Sequence, residues 1–312
     1  MTITDIKNKF KSSIISKEDF INKMHDFHKN LFDFSINLKD TEIARIEIDD
    51  DSVLFTTRST NYHPGGAIFK VDVLDKRVTP IDAFNFQFYE KEDSEMLFKL
   101  VKEGDTIFDI GANIGWYSIH LSLKFPKAQI YAFEPIPETY NQLSINVNLN
   151  KITTIRLNNL AFSTKREKLT FFYSPSLTGA SSSMNITQNQ SMTQVECQAD
   201  SIDNYVLSHQ IASVDFIKCD VEGAEYFVFQ GGLETFKNHK PIVFTEMLRK
   251  WSSKFGYHPN DIIDFFATNG YTCFTMNKGK IDPIGDITTE TVETNFLFLH
   301  TVKHKSLIVD LT

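Results

Sequence analysis

Little in this chain points to covalent or metal stapling. Its 312 residues include three cysteines, Cys197, Cys219 and Cys273, far apart and none in a C-x-x-C pair. That spacing argues against a disulfide framework or a zinc knuckle and suits buried thiols in a reducing compartment. Basic residues are also short: 32 Lys and Arg face 40 Asp and Glu, a net charge of −8. The composition offers no basic field for a polyphosphate backbone, so nucleic acid is not an expected partner. No apolar run approaches membrane-spanning length, and the opening Met1-Thr-Ile-Thr-Asp5 lacks a charged-then-apolar export signal. The expectation is a soluble, cytoplasmic protein. No internal repeat is visible. What is abundant is apolar mass: 28 Phe and 41% hydrophobic residues describe a folded chain long enough for one large domain or two ordinary ones.

The chain is organised around Asp105-Thr-Ile-Phe-Asp-Ile-Gly-Ala-Asn-Ile-Gly-Trp116. The run 106–110 predicts a buried strand, and 116–123 an amphipathic helix that Gly115 opens. Strand, glycine turn and helix begin a βαβ unit that binds a nucleotide-like ligand. Gly111 and Gly115 admit backbone where a side chain would clash. The spacing is Gly-x-x-x-Gly, not the Gly-x-Gly-x-x-Gly of pyrophosphate loops, and Asp109 at the strand end would repel a pyrophosphate. A ligand with cationic and hydroxyl-bearing parts suits this turn, and S-adenosylmethionine is such a ligand.

On either side the pattern changes in an ordered way. Residues 1–40 have helical spacing, with a capped second helix from Ser16-Lys-Glu-Asp19 to about 38. Strands are predicted at 43–48, 53–57 and 67–71, with a turn at 61–66. Residues 1–85 thus form an appendage of helices and a β-meander, in the role of lid, substrate platform or oligomer contact. A homodimer is one option, and the oligomeric state stays open. From 86 to 312 helices are predicted at 90–101, 137–149, 201–209, 223–230 and 260–269. Strands are predicted at 129–133, 152–157, 214–219 and 241–246, a strand pair at 168–173 and 194–198, and closing strands at 271–276 and 295–299. The alternation gives an α/β, Rossmann-like, mostly parallel sheet with a terminal antiparallel hairpin. The polar stretch 174–193 is long for a loop in a compact domain and suits a substrate-covering loop or a spacer.

In such a sheet ligands sit at the carboxyl ends of strands. Glu134 ends the second strand in Ala132-Phe-Glu-Pro135, where a carboxylate can accept both ribose hydroxyls of an adenosine. The end of the third strand, Asn158-Asn-Leu-Ala-Phe162, can flank an adenine through one amide, Asn159, and apolar contacts such as Ala161. Asp220-Val-Glu-Gly-Ala-Glu225 crowds three carboxylates at a strand-to-helix junction, with Lys218 on the same strand face. A helix N-terminus favours acidic residues through its dipole alone, but Lys218 on an apolar strand needs a partner.

Together these residues resemble the FkbM family of methyltransferases. The match lies in Asp109-Ile-Gly-Ala-Asn-Ile-Gly115, Tyr131-Ala-Phe-Glu-Pro135, Asn146-Val-Asn-Leu-Asn150, Lys218-Cys-Asp-Val-Glu-Gly-Ala-Glu225 with Gly231, and Glu246, covering roughly 90–250. The resemblance implies a class I methyltransferase fold and methyl transfer to a hydroxyl of a sugar or polyketide-like acceptor. It places S-adenosylmethionine on the 109–115 loop and Glu134, and turns the 220–225 loop toward the transfer site. The candidate cofactor-binding set is Asp109, Gly111, Ala112, Asn113, Gly115, Glu134, Pro135, Asn159, Ala161 and Asp220. The candidate catalytic set is Glu222 as general base, supported by Asp220 and Lys218. Asp220, Glu222 and Glu246 can alternatively hold a divalent cation. Competing readings are an N-methyltransferase, a nicotinamide-dependent oxidoreductase and a non-catalytic protein of the same fold. The first usually carries an Asn/Asp-Pro-Pro-aromatic loop where this chain has Asp220-Val-Glu-Gly.

Overall fold

The protein is described from a computed structural model covering residues 1–174, 183 and 192–312. The remainder of the polar stretch 174–193 lies outside the described residues. The chain opens with α1 (Ile3–Lys11) and α2 (Lys17–Asn37), then the strands β1 (Ile43–Ile48), β2 (Val53–Thr57) and β3 (Ile68–Lys70). Next come α3 (Thr79–Asn85), α4 (Lys91–Leu100), β4 (Thr106–Ile110), α5 (Trp116–Lys124), β5 (Gln129–Phe133), α6 (Pro137–Leu149) and β6 (Ile155–Asn158). A side sheet uses β7 (Ala161–Phe162), β8 (Glu167–Tyr173) and β9 (Thr193–Asp200). The second half has α7 (Ile202–Ser208), β10 (Phe216–Cys219), α8 (Glu225–Gln230), α9 (Leu233–Asn238), β11 (Ile242–Glu246), α10 (Arg249–Ser252) and α11 (Pro259–Thr268). It closes with β12 (Tyr271–Asn277), β13 (Lys280–Pro283), β14 (Asn295–His300) and α12 (Lys305–Leu311).

The central sheet has the order β13-β12-β14-β11-β10-β4-β5-β6. Strands β6, β5, β4, β10 and β11 run parallel, and β14 is antiparallel to both β11 and β12. This is the α/β architecture expected, a mostly parallel Rossmann-like sheet, with the antiparallel end built from three strands, β14, β12 and β13, where a hairpin was expected. From β4 the chain builds outward through β5 and β6, then returns to the other side of β4 with β10. The strand order therefore reverses between β4 and β10, where such sheets open a crevice at their carboxyl ends.

Alternation within the strands divides the core. Ile107, Ile130, Ala132, Phe216, Phe244 and Leu297 face the layer of α5 and α6. Phe108, Phe133, Ile217, Val243 and Phe298 face the layer of α7, α8, α9 and α11. Much of the phenylalanine serves this second layer, where Phe229, Phe236, Phe266 and Phe298 pack as neighbouring rings.

The N-terminal meander shares the first layer. Ile43, Phe55 and Phe69 belong to one buried cluster with Ile119 and Val147, so the core runs continuously across the expected boundary at 85/86. Polar bonds fix the docking. Asn150 on α6 accepts from Ile68 N at 2.8 Å and donates to Ile68 O at 2.7 Å, while Asn146 accepts from Lys70 N at 2.9 Å. Asn146 also donates to Ile114 O at 2.9 Å, tying β3 to the glycine turn. By contrast, α2 buries no residue and packs mainly on α1.

Several elements differ from expectation for local reasons. Strand β6 begins at Ile155, later than expected, after a turn in which Lys151 is left-handed, φ 54°. Helix α8 begins at Glu225 because Gly223 is also left-handed, φ 103°. Helix α3 was not anticipated, although Pro80 in its first turn is a start signal. The short elements β7, β13, α9, α10 and α12 lacked a periodicity long enough to read.

Candidate active site

The cradle forms where β4 ends. Gly111 adopts φ 78°, and a Cβ there would lie 1.8 Å from the Asp220 carbonyl oxygen. Only glycine lets the two loops of the switch point run side by side. Gly115, φ 92°, abuts Leu143 of α6 and opens α5. The amides of Gly111 and Ala112 both donate to Phe133 O at 3.0 Å, drawing the turn over the end of β5. Glu134 then locks it: Oε2 accepts from Asn113 N at 3.1 Å and Oε1 from Ile136 N at 2.9 Å. Glu134 is 6% exposed. Burial pushes its carboxyl up to about 7, against the two backbone N–H groups and Lys218, which favour the ionised form.

Lys218 is the charge centre of the floor. Its Nζ lies 3.2 Å from Asp220 Oδ2 and 3.9 Å from Asp109 Oδ1, and 5.4 Å from the Tyr117 ring centroid. Burial alone would lower its pKa, but the charges of Asp220, Asp109 and Glu90 outweigh that and hold it raised. Asp109 is itself buried, which raises its carboxyl, with Lys218 and the Ser118 hydroxyl at 2.6 Å opposing.

Beyond Lys218 the carboxylates gather. Glu222 is left-handed, φ 55°, and Asp220, Glu222 and Glu246 each bring an oxygen within 4.8 Å of the others. Burial raises Glu222 and Glu246, and Asp220 is the next cause for both. Such a set can accept hydroxyl donors, take a proton or hold a cation. Glu225 does something else. Its Oε1 accepts from Val221 N at 3.1 Å and Gly223 N at 3.0 Å, and its Oε2 from Tyr257 OH at 3.1 Å. It staples the loop from beneath and is not among the residues that line the cavity.

One cavity of about 520 Å³ joins cradle and carboxylates. Of the residues singled out from sequence, Gly111, Ala112, Asn113, Glu134, Pro135, Ala161, Lys218, Asp220, Glu222 and Glu246 line it. Asp109 lies under the floor and Gly115 against α6; neither is a lining residue. Asn159 also falls outside the lining, its amide nitrogen donating to Glu134 O at 2.9 Å and Pro135 O at 2.8 Å. That nitrogen shapes the backbone around Glu134. The lining also includes residues that sequence reading passed over, among them Tyr89, Glu90, Tyr117, Phe171 and Trp251. The donor set fits S-adenosylmethionine: Asn113 Oδ1 is buried with no partner among the described residues, and acidic side chains outnumber the two cationic ones, Lys218 and Arg77, around a ligand of net positive charge.

Residues 109–273 match the family described as the methyltransferase FkbM domain. A 173-residue stretch is 27% identical to methyltransferase sdnD of Sordaria araneosa, covering 46% of this chain and 66% of that protein. Over 142 residues it is 30% identical to hexuronic acid methyltransferase AglP of Haloferax volcanii, covering 46% and 56% respectively. A shorter segment, 52 residues at 35% identity, matches the 31-O-demethyl-FK506 methyltransferase FkbM of Streptomyces tacrolimicus, covering 17% of this chain and 20% of that one. The chain thus spans two thirds or less of the length of these relatives. Among solved structures, the methyltransferase FkbM of Methylobacillus flagellatus is 12% identical with a TM-score of 0.41, covering 88% of this chain and 60% of that one.

Proposed function

Because this chain belongs to the FkbM family of methyltransferase domains, we propose that it methylates a hydroxyl oxygen of a small molecule or glycan with S-adenosylmethionine as donor. The observation that carries the reading is the single cavity in which the Gly111 turn and Glu134 face Lys218, Asp220, Glu222 and Glu246 across the sheet switch point. Two relatives are named for their acceptors, a hexuronic acid and 31-O-demethyl-FK506, and the second name places the methyl on oxygen.

When bound, S-adenosylmethionine supplies an electrophilic methyl whose bond to sulfur breaks, the electron pair staying on sulfur, as the bond to the acceptor oxygen forms. Gly111, Ala112 and Asn113 shape the wall against which it lies, and Glu134 accepts its ribose hydroxyls. Glu222 takes the proton of the acceptor hydroxyl, while Asp220 and Lys218 set its charge environment. A carboxyl raised above its ordinary range is a stronger base once ionised than a solvated one. The proximity of Asp220, Glu222 and Glu246 supports a second reading, in which a divalent cation held there orients the acceptor's hydroxyls. Incubation with methyl-labelled S-adenosylmethionine and a library of hydroxylated acceptors, with and without chelator, tests both. Label found only on nitrogen would overturn the oxygen assignment.

A further inference from the structure

The N-terminal meander reaches the cavity through a buried relay. Glu42, at the head of β1, is 1% exposed. Its Oε1 accepts from Tyr62 OH at 2.7 Å and meets His63 Nε2 at 2.6 Å. His63 Nδ1 faces Pro64 O at 2.9 Å and must donate there, since a carbonyl only accepts. The other oxygen, Glu42 Oε2, accepts from the backbone amide of Tyr89 at 3.0 Å. Tyr89 is thereby pinned, and the next residue is Glu90.

Glu90 is left-handed, φ 43° and ψ 54°, a conformation few residues other than glycine adopt. It stands at the N-cap of α4, yet its side chain makes no capping bond. The carboxylate turns toward the cavity, where Oε2 accepts from Tyr117 OH at 2.8 Å. Tyr117 OH is fixed in turn by Ser94 Oγ at 3.2 Å. Among the described residues Oε1 has no hydrogen-bond partner, and the side chain is open to the cavity although it sits deep in the cleft. Its charge acts on Lys218, Glu222 and Glu246, which line the cavity with it.

We propose that Glu90 is a specificity-determining residue of the acceptor side, its unengaged oxygen accepting a hydrogen bond from an acceptor hydroxyl beside the one that is methylated. The inference rests on the methyl-transfer reading above. The acceptor therefore carries vicinal hydroxyls, and the meander, through Glu42 and Tyr89, sets the position of the carboxylate that recognises one of them. Glu90 is a contact residue for the acceptor and Glu42 a positioning residue. The neighbouring groups suit a hydroxyl: Lys218 is paired with Asp220 and Asp109, and the lining adds the carboxyl oxygens of Glu222 and Glu246 as acceptors.

The test uses the full chain with Glu90→Gln and Glu90→Ala, after thermal melting has shown that each folds. S-adenosylhomocysteine affinity, read by calorimetry, stays within about twofold of the parent if Glu90 lies off the cofactor wall. Transfer from methyl-labelled donor is then measured on the methyl glycosides of glucose, mannose and glucuronic acid, and on their monodeoxy analogues. Glu90→Ala lowers kcat/KM about 10- to 100-fold, mainly through KM, as loss of a charge-assisted hydrogen bond does. The parent disfavours the analogue lacking the contacted hydroxyl, Glu90→Ala no longer does, and Glu90→Gln recovers part of the preference. A purely structural role would leave that preference unchanged. Equal discrimination by parent and variants overturns the proposal. So does a large loss of S-adenosylhomocysteine affinity in Glu90→Ala, or a parent that binds S-adenosylhomocysteine yet methylates none of these glycosides. A parent that does not bind S-adenosylhomocysteine overturns the methyl-transfer reading itself.

Discussion

Lys218 and Asp220, two residues apart at the end of β10, form an ion pair of 3.2 Å that closes the floor of the cavity. The same ammonium is the only cation near the buried Asp109 carboxylate, 3.9 Å away, among the ion pairs of the described residues. Removing it leaves a buried charge uncompensated. Lys218→Met is expected to cost about 3–5 kcal/mol of stability in urea denaturation. Adding Asp109→Asn should recover a substantial part of that loss. A single variant as stable as the parent would show that the pair contributes no net stability.

Glu134 joins the turn to β5 and faces the cavity, so its truncation has two separable effects. Glu134→Ala should weaken S-adenosylmethionine binding by roughly 2–3 kcal/mol, the scale of lost charge-assisted hydrogen bonds. It should also cost about 1–3 kcal/mol of stability, because the amides of Asn113 and Ile136 lose their acceptor. Calorimetry and denaturation read the two independently. Parent-like affinity in a folded Glu134→Ala would remove the ribose assignment.

Glu222 and the cation reading make opposite predictions. With Glu222 as base, Glu222→Gln should cut turnover on the order of 10²–10⁴-fold with donor affinity nearly unchanged. EDTA should then have no effect. With a cation on Asp220, Glu222 and Glu246, EDTA should abolish transfer and magnesium or manganese should restore it. We favour the metal-free base, and chelator-sensitive turnover would reverse that preference.

The raised carboxyls give a pH signature. Glu90, Glu134 and Glu225 are each pushed from 4.5 up to about 7, burial being the first cause in all three. Between those values the folded chain holds protons that the unfolded chain has released, so their contribution to stability falls as pH rises from 4.5 toward 7. A cationic ligand favours the ionised forms. S-adenosylmethionine should therefore release protons on binding near pH 6.5, and S-adenosylhomocysteine, lacking the sulfonium charge, fewer. Calorimetry in buffers of different protonation heat measures this. Equal proton release for both ligands would contradict the electrostatic account.

The parts of the site that were legible in sequence are local. The glycine turn, Glu134 and the 218–222 run each lie at a strand end recognisable from its own neighbours, and βα alternation put those ends at one edge of the sheet. Orientation within a turn was not legible. Glu222 and Glu225 look alike as acids near a helix start, but left-handed backbone at Glu222 and Gly223 turns Glu225 under the loop. Asn159 shows the same limit, since the donation of its amide nitrogen to backbone oxygens depends on how the turn is oriented. Contributions from afar were hidden as well. Glu90 reads as an ordinary first residue of a helix, and only its anchorage through Tyr89 to Glu42 brings it into the cavity. Asn146 and Asn150 stood out as a motif, yet their role as docking points for β3 depends on a strand far earlier in the chain.

The central claim, that the cavity between the Gly111 turn and Asp220 holds S-adenosylmethionine, is tested most directly by calorimetric titration of the purified chain with S-adenosylmethionine, S-adenosylhomocysteine and NADH. The account predicts affinity on the order of micromolar for the first two, about −8 kcal/mol, and no heat of binding for NADH. Binding of NADH, with none of either methionine derivative at millimolar concentration, would contradict it.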